Sequence, residues 1–355
     1  MEYVRLGNSG LIVSRLSFGV MTFGQGEGPM AAVSKTDEAT AIAIMHRALD
    51  AGINFFDAAD AYANGQSETI LGKVLEGRRH DVVISTKIGF RTGEAVTRAG
   101  ASYGYILSAA EACLRRLRTD YLDLLSIHKP DPWTPPEETA RALDNLVQRG
   151  LVRYVGYSNL SAWQAAKFVG LQERLGLARF IAAQMYYSLV GRDLEYEHVP
   201  FAMDAGVGIV VWSPLASGFL TGRYTRQDPS GGHGRIADFS FIPFDRERGY
   251  ALIDLMKTIA VPHRASVAQV ALAWLLAKRH VATVLLGASK MSQLEDNLGA
   301  AGLRLTAEEL TQLDRATAPP PLYPNWFHAA TIDEKTKQAL GESRARNSQL
   351  TTDHR

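Results

Sequence analysis

A tyrosine can hand a proton to a developing oxyanion only if something strengthens it as an acid, because an unperturbed phenol with a pKa of about 10 is weak near neutral pH. A neighbouring ammonium does this, and a carboxylate facing the ammonium keeps it charged and oriented. The chain carries these three residue types as Asp57 and Tyr62, in Asp57-Ala-Ala-Asp-Ala-Tyr62, and Lys87, in Thr86-Lys87. A fourth, His128 in Ile127-His128-Lys129-Pro130-Asp131, could as a neutral imidazole polarise the oxygen that receives the proton. Each lies at or just past the C-terminal end of a run that reads as a buried strand, as does Trp212 in Trp212-Ser213-Pro214-Leu215. Singly, none is distinctive. An aspartate after a strand is commonly a turn or cap residue, and the others are ordinary as a packed aromatic, a solvated charge and a rim histidine. The argument rests on their conjunction and order.

The elements that must position them follow from apolar runs alternating with helical periodicity. Strands are expected at Leu16–Gly19, Asn54–Asp57, Val82–Thr86, Leu122–His128, Val152–Tyr157, Ile181–Gln184, Gly208–Trp212 and Thr283–Leu286. Helices are expected at Asp37–Ala51, Gln66–Leu75, Tyr105–Leu117, Pro136–Arg149, Ser161–Leu175, Asp193–Ala205, Arg248–Ile259 and Gln293–Ala300, with a further one at Ala265–Arg279. Ser161 and Pro136 act as start signals, and Gly52 and Gly150 as stop signals. Strands apolar on both faces, alternating with helices, give an α/β (β/α)8 TIM barrel, which builds its active site at the C-terminal rim of the strands. Ahead of it, Tyr3–Leu6 and Leu11–Ser14 flank Gly7-Asn8-Ser9-Gly10, a hairpin expected to cap the barrel floor. The segment Leu215–Glu247 is a long loop with Arg223, Arg226 and Arg235, of the kind that tends to be functional. A single domain over 1–331 and a polar tail, Ile332–Arg355, complete the expected organisation.

Composition narrows the partners. The 355 residues have a net charge of +1, with 46% hydrophobic and 21% charged residues, typical of a soluble globular enzyme and without an electrostatic case for nucleic acid. The single Cys113, in the helical stretch Ala109–Leu117, cannot form an internal disulfide and reads as packing. No apolar run approaches the ~20 residues of a membrane span, and there is no leader pattern, so a cytoplasmic protein without membrane insertion is expected. The histidines lack metal-ligand spacing, and no metal is expected. The oligomeric state is not encoded legibly.

Together, Gly52-Ile53-Asn54-Phe55-Phe56-Asp57, Tyr62, Gly65-Gln66-Ser67-Glu68 and Leu124–Pro130 resemble the signatures of the aldo-keto reductase superfamily, over nearly the whole chain. The resemblance implies a catalytic tetrad of Asp57, Tyr62, Lys87 and His128, and NADPH/NADP+ as cofactor for reducing a small carbonyl substrate, with Tyr62 as proton donor. It implies nicotinamide carboxamide contacts from Ser158, Asn159 and Gln184, and stacking by Trp212, where many members have tyrosine. Asp57 and Thr22 also border the expected cofactor position. Backbone and side chains of Ser213, Pro214, Leu215, Ala216, Ser217, Gly218 and Arg223 are placed at the pyrophosphate. Gly287, Ser289, Lys290, Gln293, Asp296 and Asn297 surround the adenosine 2′-phosphate, which favours NADPH over NADH. Free N–H groups at a helix N-terminus suit such an anion.

Phe23, Tyr62, His128 and Trp133 are expected at the substrate, with the Ile88–Tyr103 loop and Tyr323–Phe327 around the barrel mouth. Aromatic residues there suit apolar or aromatic aldehydes and ketones, while the arginines of the first loop leave anionic or sugar-like substrates open. The pattern is similar to bacterial-type reductases and potassium-channel β-subunits. Two alternatives follow from it: an NADP(H)-sensing regulatory subunit of a membrane channel, and an NADP-linked sugar or polyol dehydrogenase. Gly24-Gln25-Gly26-Glu27-Gly28 imitates a dinucleotide-binding glycine motif, but its third glycine is misplaced and Pro29 stands where the helix should begin.

Overall fold

A computed structural model describes residues 1–27, 31–231 and 241–340. Gly28 and Pro29 of the glycine-rich segment, Arg235 of the long loop and the tail beyond residue 340 lie outside the described residues. The chain divides into two compact units, Met1–Thr317 and Ala318–Arg355.

The first unit is a closed parallel barrel. Its strands are β3 (Leu16–Gly19), β4 (Phe55–Asp57), β5 (Val83–Ile88), β6 (Leu122–Ile127), β7 (Val152–Ser158), β8 (Phe180–Tyr186), β9 (Gly208–Trp212) and β10 (Val281–Leu286), with β10 closing onto β3. Around it run α1 (Glu38–Asp50), α2 (Gln66–Val74), α3 (Tyr103–Leu117), α4 (Pro136–Gln148), α5 (Ala162–Leu175) and α6 (His198–Ala205). They are followed by α7 (Arg246–His263), α8 (Val267–Leu276), α9 (Met291–Leu298) and α10 (Ala307–Ala316). Strands covered on both faces read as apolar runs rather than alternations. Every residue of β5 and β10 is buried.

The two-residue period of a strand decides which side chains enter the lumen. Phe55, Val83, Leu124, Ala182 and Val210 form its lower layer with Leu6 and Val13. Asp57, Ser85, Lys87, Ser158, Gln184 and Trp212 keep that phase and stand above it at the C-terminal rim. The alternate residues face the helices; Thr86 Oγ1, for example, donates to Glu68 Oε1 on α2. At the opposite end, β1 (Tyr3–Arg5) and β2 (Ile12–Ser14) pair antiparallel. Asn8 N–H donates to Gly206 O, Ser14 N–H donates to Asn54 Oδ1, and Leu6 plugs the lumen, so the hairpin closes the floor as expected. Gly7 needs its missing Cβ here: at φ +57 that atom would lie 2.6 Å from two carbonyl oxygens.

The expected elements recur with boundary shifts of a few residues. The Asp193–Ala205 helix is interrupted, with a short 3-10 turn at Asp193–Glu195 before α6. Helix α10 was not expected, although Thr306 and Glu309 form a reciprocal capping box that starts it. The second unit holds α11 (Asn325–Ala330) and α12 (Glu334–Ala339), the latter capped by Asp333, where only a polar tail was expected from Ile332 onward. Tyr323, Trp326 and Phe327 belong to this unit, their ring centroids 6.0–6.4 Å apart.

Candidate active site

Lys87 is wholly buried on β5, and burying a lone ammonium would be strongly unfavourable. Its Nζ donates to Asp57 Oδ2 at 2.6 Å and to Ala58 O at 2.6 Å. The other carboxylate oxygen, Oδ1, accepts from Ser85 Oγ at 3.0 Å and Gln184 Nε2 at 2.8 Å. The same Nζ lies 5.0 Å from the centroid of the Tyr62 ring. Burial alone would lower the Lys87 pKa, but Asp57 and Tyr62 outweigh it and hold the ammonium above the ordinary lysine value.

Tyr62 reaches this point from the loop after β4. It opens a short 3-10 segment, Tyr62–Gly65, in which Ala63, Asn64 and Gly65 take φ of 46°, 53° and 84° in succession. Two non-glycine residues in left-handed conformations are strained, and such strain persists only where surrounding structure enforces it. Gly65 is required, because a Cβ would stand 2.6 Å from Arg116 Cδ. The His128 ring meets the Tyr62 ring edge-on at 5.8 Å and the Phe90 ring edge-on at 4.5 Å. Burial, with Lys87 and Lys129 adding to it, pushes the His128 pKa well below the usual histidine range. Its Nδ1 is buried with no protein partner among the described residues.

Asn159, at φ 59°, joins the next strands to this group. Its Nδ2 donates to His128 O at 3.0 Å and Ser158 Oγ at 2.9 Å, and its Oδ1 accepts from Trp212 Nε1 at 3.1 Å. Ser158 Oγ donates to Gln184 O at 2.8 Å. Past Trp212, Ser213, Ala216, Ser217 and Gly218 all have positive φ, and Ser217 N–H donates to Ser213 Oγ at 3.0 Å. These turns fold the segment on itself: the N–H groups of Ala216 and Gly218 donate to Ser213 O and Leu215 O, both at 2.9 Å. Pro214 is buried and Leu215 half-buried within it. Thr22 Oγ1 donates to Ala288 O at 2.9 Å, tying the loop after β3 to the one after β10. Gly287 is open, with no atom within 4 Å of where a Cβ would be.

Residues 15–318 match the Aldo/keto reductase family. The chain belongs to that family. It is 38% identical to a probable voltage-gated potassium channel subunit beta from Arabidopsis thaliana, over 84% of this chain and 91% of the relative. It is 32% identical to versiconal hemiacetal acetate reductase from Aspergillus parasiticus, over 91% and 99%. It is 34% identical to a putative aryl-alcohol dehydrogenase from Schizosaccharomyces pombe, over 90% and 97%.

In this aldo/keto reductase chain the barrel brings together the four positions expected to form a tetrad: Lys87 bonds to Asp57, and Tyr62 lies beside both Lys87 and His128. Other expected positions are less direct. Phe23 is wholly buried, its ring 5.8 Å from Phe18, and offers no surface to a substrate. Trp133 is 89% exposed, its N–H bound to Asp131 Oδ1. Arg91, one of the arginines that left an anionic or sugar-like substrate open, donates to Gly93 O and Ala95 O and so braces its own loop. Arg223 donates to Gly231 O.

Lys290 caps α9 exposed to solvent, whereas Gln293 Oε1 already accepts from Ser289 N–H at 2.9 Å, so an anion there must displace it. Asp296 turns toward α8, accepting from Ser266 Oγ and Gln269 Nε2, and Asn297 is buried. Sequence reasoning missed Ser85, although it lies two residues before Lys87 on the lumen face. It also missed Phe241, stacked on Trp212 at 5.9 Å, and Tyr186, whose ring is tilted against that of Trp212 at 5.2 Å. Cys113 is buried, and burial raises its thiol pKa well above the ordinary value, which fits packing. Among the described residues, no group of three or more His, Cys, Asp or Glu could hold a metal ion, and no single helix is long and apolar enough to cross a membrane.

Proposed function

We propose that the chain reduces aldehydes and ketones with NADPH, using Tyr62 as the proton donor. The observation that supports this best is the buried Lys87 ammonium shared between Asp57 and the Tyr62 side. The residues present also fit a bound dinucleotide: His128 Nδ1 has no protein partner among the described residues, Gly287 is open, and four left-handed residues follow β9.

Bound NADPH supplies a hydride to the carbonyl carbon. The chain's own residues handle the oxygen. Neutral His128 hydrogen-bonds it, and the Tyr62 hydroxyl gives it a proton as negative charge develops. The Lys87 ammonium stabilises the phenolate left behind, and Asp57, fixed by Ser85 and Gln184, keeps that ammonium in place. Ser158, Asn159 and Gln184 would orient the carboxamide, and Trp212 would offer its ring to the nicotinamide. The small residues from Ser213 to Gly218 would border the pyrophosphate. Lys290 and Ser289 would meet the 2′-phosphate.

The test is NADPH oxidation by the purified chain over a panel of aldehydes and ketones, beside NADPH affinity from fluorescence quenching. Turnover that the Tyr62→Phe variant loses while it still binds NADPH supports the proposal. A Tyr62→Phe variant as active as the parent overturns the proton-donor role. The similarity to a plant channel subunit beta supports a second reading, in which the chain binds NADPH tightly but does not turn it over and serves as a cofactor-sensing subunit.

A further inference from the structure

Behind the tetrad lies a second buried carboxylate that the chemistry above does not use. Asp60 is 4% exposed, two residues before Tyr62, and its N–H donates to Lys87 O at 3.0 Å. Its Oδ2 lies 3.3 Å from the Tyr105 hydroxyl, and its Oδ1 is buried with no partner among the described residues. The Tyr105 hydroxyl is also 3.0 Å from Phe90 O and 3.2 Å from Thr92 Oγ1. Phe90 is the residue whose ring edge packs on His128.

Counting protons decides how this cluster works. Phe90 O can only accept, and a phenol has one proton. If Asp60 is ionised, the Tyr105 proton cannot satisfy both the carboxylate and Phe90 O, and the loop loses its hydrogen bond when the carboxylate takes the proton. If Asp60 is protonated, its O–H donates to Tyr105 and Tyr105 donates to Phe90 O, while the Thr92 hydroxyl takes the remaining lone pair of Tyr105. Every group then has a role, and an unpartnered Oδ1 is tolerable as the carbonyl oxygen of a neutral acid.

We infer that Asp60 is a positioning residue whose protonated form, acting through Tyr105, clamps the 89–100 loop against His128. The inference rests on the reductase reading only for its effect on substrate. The groups facing Asp60 are Glu68 from α2 and Tyr105, Cys113 and Arg116 from α3, with β5 contributing the Lys87 carbonyl. Burial and then the neighbouring Glu68 raise the Asp60 pKa to about 7, against smaller opposing pulls from Arg116, the Tyr105 hydroxyl and the Ala61 N–H, while Tyr105 is raised to about 12 and stays a phenol. The clamp is therefore closed below neutrality and loosened above it, with the substrate side of His128 as the part affected.

Two readouts test this on the full chain. The first is hydrogen exchange of the 89–100 amides between pH 5.5 and 8.5, corrected for intrinsic rates, which needs no turnover. The parent should lose roughly threefold to tenfold protection as pH rises through about 7, the worth of one neutral hydrogen bond. Asp60→Asn, whose amide donates at every pH, should keep its protection, and Tyr105→Phe should lack it throughout. The second is KM for a carbonyl substrate, which should rise over the same range in the parent and stay level in Asp60→Asn. Parent and Asp60→Asn sharing one pH dependence, or a Tyr105→Phe loop as protected as the parent, would overturn the inference. Loop protection that behaves as expected in a chain without turnover would uphold the clamp and sink the reductase reading instead.

Discussion

Asp57 and Asp60 stand three residues apart, both almost fully buried, and the molecule treats them in opposite ways. Asp57 ends a strand, and both its oxygens are used: Lys87 on one, Ser85 and Gln184 on the other. Asp60 sits on the loop that follows, with the Tyr105 hydroxyl at 3.3 Å, an Oδ1 unpartnered among the described residues and the Glu68 carboxylate nearby. Burial is nearly the same in both cases, so burial does not by itself separate the two. The donors do. A strand end in a closed barrel can be surrounded by neighbouring strands, whereas a loop residue meets only what packs behind it. On the proposed mechanism the ion pair serves the step that must not vary, and the half-satisfied acid lies where a change of state can be tolerated.

The largest effects should come from the first site. Tyr62→Phe should lower kcat by about 10²–10⁴-fold, the usual worth of a positioned general acid, with NADPH affinity within roughly twofold of the parent. Stopped-flow single turnover checks this directly, since it separates the chemical step from cofactor release. Lys87→Met should cost about 3–5 kcal/mol in denaturant unfolding, because it strands Asp57 in the lumen without a counter-charge. Adding Asp57→Asn to that variant should recover part of the loss. Two independent, additive losses would mean that the pair is not coupled, and the contrast with Asp60 would collapse.

A smaller effect of distinctive sign is expected from Asp60. Its folded-state pKa is raised to about 7, so between roughly pH 4 and 7 the folded chain holds a proton that the unfolded chain has released. Stability from this group therefore falls as pH rises through that window, by at most roughly 4 kcal/mol in total. His128, His198 and His280 act in the reverse sense. Burial lowers their pKa values, and they lose stability as pH falls below the ordinary histidine range. The two slopes oppose each other in the parent, and only the difference between parent and Asp60→Asn isolates the acid. The variant should gain on the parent steadily from pH 4.5 to 7.5 in chemical denaturation. A constant offset across that range would place the Asp60 proton outside it.

How much of this was legible depends on whether the relevant contact is local. The barrel strands were readable because strands buried on both faces are apolar runs, and the clustering of Asp57, Tyr62, Lys87 and His128 because these residues sit at or just past strand ends. Strand β5 runs on to Ile88, past the expected Thr86, since a buried lysine breaks the apolar pattern that marks a strand. The start of α10 was present as Thr306 and Glu309, a signal simply not used. Asp60 and Tyr105 are 45 residues apart, and nothing in either stretch announces the other. Asp296 illustrates the same limit: its position suits a nucleotide, but Ser266 and Gln269, on a different helix, turn it inward.

The smallest effect expected lies at Lys290, and it tests the rim of the nucleotide side against the fixed lumen. Lys290 is exposed at the start of α9, so removing it should leave folding stability within about 0.5 kcal/mol of the parent. If its ammonium meets a 2′-phosphate, Lys290→Ala should weaken NADPH binding by about tenfold, at the low end for a charged hydrogen bond because water competes there. NADH, which lacks that phosphate, should bind the variant as it binds the parent. Gln293→Ala sharpens the point. Gln293 occupies the Ser289 N–H that a phosphate would need, so freeing it should leave NADPH binding unchanged or tighter. Parallel titrations of both nucleotides against both variants decide the matter. An equal loss for NADPH and NADH in Lys290→Ala would mean that this lysine acts on the general field of the rim and does not read the phosphate.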